Sequence, residues 1–212
     1  MAKKKTKKSG QSKKQKTAWG KFWYFIWEDD SVWSWLVNIV LAFILIKFVV
    51  YPGLGFLLAT SHPIVAVVSG SMHHDSSFDE WWSQAGVWYV ENDISKDNFM
   101  EFSLKNGFNK GDIMILKGLK PKDIKVGDVI VFQSKRPDPI IHRVVKKRQE
   151  GDAYYFQTKG DNYQTNPTSI KTYFLDETRI SSDNIIGVAK VRVPKLGWVK
   201  IAFVELIKLV VR

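Results

Sequence analysis

Hydrophobic and polar positions divide this chain into stretches of different period. Residues 32–46, "VWSWLVNIVLAFILI", are apolar except for Ser34 and Asn38, and after Lys47 the apolar character resumes through "FVVYPGLGFLLAT". A run this long passes the threshold of roughly 18 residues for a transmembrane helix. It predicts an anchor over residues 31–58, with Pro52 and Gly53 breaking or kinking the helix. Lys47 snorkels to an interface, marks the outer end of a shorter span, or faces a partner. From residue 61 the pattern changes to short β-branched runs: "SHPIVAVV" at 61–68, "DIMILKG" at 112–118, "DVIVFQS" at 128–134, "IIHRVVKKR" at 140–148, "AYYFQTKG" at 153–160 and "IIGVAKVRV" at 185–193. Many short strands separated by Gly, Pro and Asp predict a mainly β body over residues 59–198 rather than alternating β/α units.

Two segments interrupt or follow that body. Residues 73–108 are acidic and aromatic and read as an insertion, in which "DEWWSQAGVWYVE" can form a short amphipathic helix. Its Trp81, Trp82, Trp88 and Tyr89 either pack on the domain or sit at a membrane interface. The end of the chain, residues 199–212, reads as a short amphipathic helix associated with the membrane surface, or as a second span if Lys200 and Glu205 are met by a partner.

Charge sharpens the picture of the N-terminus. Of the formal net charge of +11, nine lysines lie before the first acid, Glu28, so the basicity belongs to a tail over residues 1–30 and the body is nearly neutral. A lysine tail can bind nucleic acid, but ahead of an apolar span it acts as cytoplasmic charge. The positive-inside rule then puts the N-terminus in the cytoplasm and the β body on the far side. A cleaved signal peptide fits less well, because the basic region and the apolar run are both too long. The chain has no cysteine. Disulfides, thiolate zinc sites and a cysteine nucleophile are therefore excluded, and hydrolytic chemistry must use a hydroxyl, a water or a non-thiolate metal site.

Three short segments carry candidate chemistry. "SGSM" at 69–72 offers Ser69 and Ser71, which could equally turn a strand. "HRV" at 142–144 offers His142, which could equally be a core or surface residue, and "KGDN" at 159–162 offers Asp161, which could equally close a turn. A serine becomes a useful nucleophile when a base takes its proton and a third group orients the base. Adjacent His73 and His74 with Asp75 could ligate a metal, but no further spaced ligand accompanies them, so no metal or other cofactor is expected.

An N-terminal anchor followed in order by "SGSM", "HRV" and "KGDN" resembles the type I signal peptidases of the archaeal and endoplasmic-reticulum branch, and "VGDVIVF" at 126–132 and "KLGW" at 195–198 resemble further family segments. The resemblance spans roughly residues 32–200. It implies a signal-peptidase-type β-rich catalytic domain with Ser71 as nucleophile, His142 as general base and Asp161 orienting the imidazole. Ser69 would offer its hydroxyl to the oxyanion, and Met72 would help line the substrate groove. One departure is that position 167, where a second acid often stands, is Pro167; Asp176 in "FLDETRI" is the substitute, so either Asp161 or Asp176 is expected on His142.

The function implied is a membrane-bound serine endopeptidase that removes N-terminal signal peptides from exported preproteins. The alternative is an inactive, peptide-binding or scaffold protein of the same fold. The partners implied are signal peptides, membrane lipid and, as a candidate, the translocation machinery, with no nucleic acid. The expected location is an archaeal plasma membrane, spanned once.

Overall fold

The computed structural model describes residues 17–199 and 201–202. Residues 1–16, and the C-terminal helix expected over residues 199–212 apart from its first positions, lie outside them. Two compact units are distinguished, residues 1–51 and 52–212.

In the first unit, helix α1 (Ala18–Trp27) forms inside the segment expected as a tail. Thr17 caps it by accepting the Gly20 N–H, satisfying one of the donors left over at a helix start. Ser31 caps α2 (Val32–Leu45) in the same way through the Ser34 N–H. The helix then widens into a π-helical turn, Ile46–Val50, and continues as α3 (Tyr51–Leu57), which from Pro52 on is counted with the second unit. The Tyr51 N–H reaches back to the Ile46 carbonyl, so the wide turn falls immediately before Pro52, whose missing N–H and ring disturb the normal ladder. Of the break or kink expected at Pro52 and Gly53, no break occurs: the helix runs through them. Val32–Leu57 is 26 residues long with mean hydropathy 2.2, long and apolar enough to cross a membrane.

The second unit is built on one seven-stranded antiparallel sheet in the order β1-β2-β7-β3-β4-β5-β6. The strands are β1 (Ile64–Ala66), β2 (Ile113–Lys117), β3 (Val129–Phe132), β4 (Ile140–Glu150), β5 (Ala153–Lys159), β6 (Ile180–Ser181) and β7 (Ile185–Val193). All six strand runs read from the sequence are present, and β6 is an addition. Central strand β3 explains its unbroken apolar run: Val129 and Val131 enter one buried cluster with Met114 and Leu116, while Ile130 and Phe132 enter a second with Val144 and Phe156. Both faces of the strand are covered, so no polar alternation survives.

The insertion supplies the third cluster. A capping box between Ser77 and Glu80 starts α4 (Phe78–Glu91), and α5 (Lys96–Met100) follows. Trp81, Tyr89 and Phe99 are fully buried and pack with Val145 of β4. Of the two readings of the insertion's rings, packing on the domain is the one adopted by Trp81 and Tyr89. Burying rings of this size supplies roughly 1.5–3 kcal/mol each, and it brings α4 against the face of β4 and β5 that carries the charged residues described next.

Candidate active site

β1 runs directly into the loop that carries Ser69, Gly70, Ser71 and Met72. The Ser71 hydroxyl is half-buried and lies 3.1 Å from the Ser69 hydroxyl. Two backbone donors pin the loop: the Phe108 N–H to the Met72 carbonyl and the Asn162 N–H to the Ser71 carbonyl, each at 2.9 Å. Asn162 adds a side-chain N–H to the Gly70 carbonyl at 3.0 Å. Glycine is required on both sides. A Cβ on Gly107, at φ +63°, would fall 2.3 Å from the Met72 carbonyl oxygen, and one on Gly160 would fall 2.7 Å from that of Ser71. The "KGDN" segment is thus in direct contact with the serine loop. Met72 is not a groove residue here: its side chain is 1 % exposed in the first core cluster, where its sulfur accepts the Asp161 N–H.

His142 comes to the same place from β4. Arg143 pairs with Lys159 in the β4/β5 ladder, which puts Gly160 opposite His142 at the end of β5. Gly160 therefore borders both His142 and the Ser71 carbonyl. The imidazole is buried, and its Nδ1 lies 2.5 Å from Glu177 Oε1. Glu177 is fully buried and also accepts the Thr158 hydroxyl and the Ile170 N–H, both at 2.8 Å. With the carboxylate acting only as acceptor, Nδ1 carries the proton and Nε2 is the basic nitrogen of the neutral ring.

Neither expected aspartate touches His142. Asp176 is exposed and its carboxylate accepts from the Thr178 N–H and hydroxyl. Asp161 is fully buried on the other side of β4, where Arg143 reaches it through Nη2 at 2.6 Å and Nε at 3.0 Å. The Tyr89 hydroxyl donates to it at 2.9 Å, and His74 Nε2 lies 3.4 Å away. The reason is the period of a strand: His142 and Arg143 point to opposite faces of β4, and Asp161, just past the end of β5, meets Arg143. Asp161 falls on the face of Arg143, and Glu177 on the face of His142. A local signal for Glu177 exists in "FLDETRI", since Leu175 and Glu177 alternate inward while Asp176 points out.

Electrostatics separate the two carboxylates further. Burial alone would raise the Asp161 pKa, but the Arg143 charge, with hydrogen bonds from His74 and Arg143, outweighs it and holds the carboxyl well below its usual range. Because the folded-state value is depressed, the stabilisation is complete above the ordinary carboxylate pKa near 4 and disappears only as pH falls through the depressed value. At neutral pH, Asp161→Asn would leave the buried Arg143 guanidinium without its counter-charge. The variant is expected to lose about 3–5 kcal/mol of stability, measured by denaturant unfolding of the full chain in detergent. An unchanged midpoint would remove this structural role.

Lys159 is buried on the same face, without a carboxylate contact among the described residues. Its ammonium donates to the Gly160 carbonyl at 2.9 Å and lies over the rings of Tyr89 and Trp88 at 4.9 and 5.2 Å. Burial pulls its pKa down from 10.5 to about 8. The unfolded chain therefore holds this proton more tightly between those values, and stability rises with pH there. Relative to Lys159→Met, the intact chain is expected to gain about 3 kcal/mol between pH 7 and pH 10.5. Parallel unfolding free energies for the two proteins would overturn this.

The histidines weighed as metal ligands are engaged separately. His73 Nδ1 lies 2.5 Å from Asn109 Oδ1, and the His74 ring stacks on Trp81 at 3.8 Å.

No protein-family model matches the chain. Among curated proteins it is 28 % identical over 162 residues to the signal peptidase complex catalytic subunit SEC11 of Scheffersomyces stipitis, covering 74 % of this chain and 75 % of that one. It is 29 % identical over 167 residues to SEC11 of Komagataella phaffii, covering 74 % and 76 %. Against SEC11C of Canis lupus familiaris it is 30 % identical over 102 residues, 47 % of this chain and 52 % of that one. These relatives are eukaryotic, so they do not supply the archaeal plasma membrane expected from the sequence.

Proposed function

From the premise that the chain belongs to the type I signal peptidases, in the branch of the SEC11 subunits, we propose that it is a membrane-bound serine endopeptidase that cleaves signal peptides from preproteins, with Ser71 as nucleophile. The observation that carries the mechanism is the buried His142, whose Nδ1 is committed to Glu177 and whose neighbour Arg143 pairs with Lys159, one residue before the Gly160 that abuts the Ser71 carbonyl. His142 Nε2 takes the Ser71 hydroxyl proton as the oxygen attacks the scissile carbonyl. It then gives that proton to the leaving amine, and the acyl-enzyme is hydrolysed by a water deprotonated in the same way. Glu177 orients the ring and stabilises the imidazolium.

Substrate handling follows from the sheet edge. β1 is the terminal strand of the sheet and leads straight into Ser69 and Ser71, so an extended segment paired along its outer edge would present its scissile bond to the serine. Small pockets would select small residues at the first and third positions before the cut, as signal-peptide sites require. The Ser69 hydroxyl, with the Ser71 N–H, would hold the oxyanion. Ser69→Ala is expected to lower kcat by about 10²–10³ with little change in KM, read from preprotein cleavage rates. A proportional rise in KM alone would reassign Ser69 to ground-state binding. The lysines before the apolar helix support a cytoplasmic N-terminus and a β domain on the far side of the membrane.

The test is preprotein processing by the full chain in membranes or detergent. Processing that depends on Ser71 is expected; cleavage unchanged in Ser71→Ala would sink the serine mechanism, and no cleavage by the intact chain would leave a peptide-binding relative.

A further inference from the structure

We propose that α1 is a second lipid-contacting element, lying in the headgroup interface of an anionic bilayer with a stripe of tryptophans turned into the lipid. The inference is independent of the peptidase reading. Six of the ten residues of α1 are aromatic, and none of the ten is buried. Trp19, Trp23 and Trp27 recur at four-residue spacing, hence on one helix face, and are 71 %, 55 % and 70 % exposed. Lys21 falls on the opposite face. An apolar stripe of this kind marks an interaction surface.

Three observations favour lipid as its occupant. The first is how α1 is tied down. The Ser34 hydroxyl donates to the Phe25 carbonyl at 2.5 Å, and the Asn38 amide donates to the Ile26 carbonyl at 2.9 Å. These carbonyls belong to the last turn of α1, where in-helix donors run out. Their donors are the two polar residues that interrupt the first part of the apolar run. Asn38 stands six residues after Val32, about 9 Å along the helix. The end of α1 is therefore fixed to the opening turns of the membrane-crossing helix, at the depth where interfacial helices lie, about 5–10 Å into the headgroup and acyl boundary. The second observation is composition, since tryptophan concentrates at membrane interfaces, where an apolar ring and a polar N–H are both accommodated. The third is charge: eight lysines precede Thr17 in sequence, complementary to anionic headgroups.

Because the chain has no cysteine, single cysteines report one site each. We would place a nitroxide at W23C and, separately, at K21C in the full chain, reconstituted in phosphatidylcholine vesicles containing phosphatidylglycerol. W19C and W27C repeat the first measurement while leaving the other two tryptophans in place. The proposal predicts that labels at 19, 23 and 27 are reached by oxygen and shielded from a water-soluble nickel chelate, and that the label at 21 shows the reverse, a several-fold difference in accessibility ratio. Equal exposure to nickel on both faces would put α1 in water and overturn the proposal. Spin–spin broadening at 19, 23 and 27 would also overturn it, by showing that a second copy covers the stripe.

Discussion

Ser71→Ala and His142→Ala are each expected to lower kcat/KM for preprotein cleavage by about 10⁴–10⁶, equivalent to about 5–8 kcal/mol of transition-state stabilisation. The double variant is expected to fall no further. A serine without a base is a poor nucleophile, and a base without a serine has no proton to take, so either loss removes the same covalent route. Single effects that multiply in the double variant would mean that the two side chains act on separate steps. The structure makes the comparison interpretable. The Ser71 hydroxyl meets only the Ser69 hydroxyl among the described residues, so removing it should leave the core intact. His142 is buried against Glu177, so His142→Gln, which can keep a hydrogen bond there without acting as a base, is the companion variant. It should be as inactive as His142→Ala and more stable.

The second large effect is expected at Glu177. Glu177→Gln keeps the size of the side chain but supplies an NH₂ where three donors now converge: His142 Nδ1–H, the Thr158 hydroxyl and the Ile170 N–H. If the amide nitrogen faces Ile170, two donors oppose each other in a buried site. If it faces His142, it stabilises the tautomer with the proton on Nε2, which cannot accept from serine. A fall in kcat/KM approaching 10⁴ is expected, mostly in kcat, because the orientation and charge of the imidazolium matter most in the transition state. Asp176→Asn is the control at the neighbouring acid: its side chain is exposed and, among the described residues, its carboxylate bonds only Thr178, and cleavage should stay near that of the intact chain. If Asp176→Asn were inactive and Glu177→Gln active, the assignment of the orienting acid would be reversed.

Much of this was legible in local sequence because it depends on local physics. A predominantly apolar stretch as long as the 26 residues Val32–Leu57 satisfies its backbone in a membrane by forming a helix. β-branched runs between turn residues became the strands where they were expected, and the order of "SGSM", "HRV" and "KGDN" picked out three segments that meet around Gly160. What failed locally is also instructive. Pro52 was read as breaking or kinking the helix, but the helix runs through it after the π-helical turn Ile46–Val50. The segment after Lys16 was read as a basic tail, yet Thr17 caps an aromatic helix whose last carbonyls are met by Ser34 and Asn38. The family resemblance implied a groove role for Met72, but its side chain is buried in the core, where its sulfur accepts the Asp161 N–H.

The sequence by itself determined the apolar helix, the strand segments and the candidate serine and histidine, since each is written in neighbouring residues. The tertiary structure alone decided which acid lies against His142 and which against Arg143. That choice rests on the β4/β5 register, which turns Arg143, Lys159 and Asp161 to one face of the sheet and His142, Thr158 and Glu177 to the other. A shift of one residue would exchange the two faces, and no local pattern in either strand states the register.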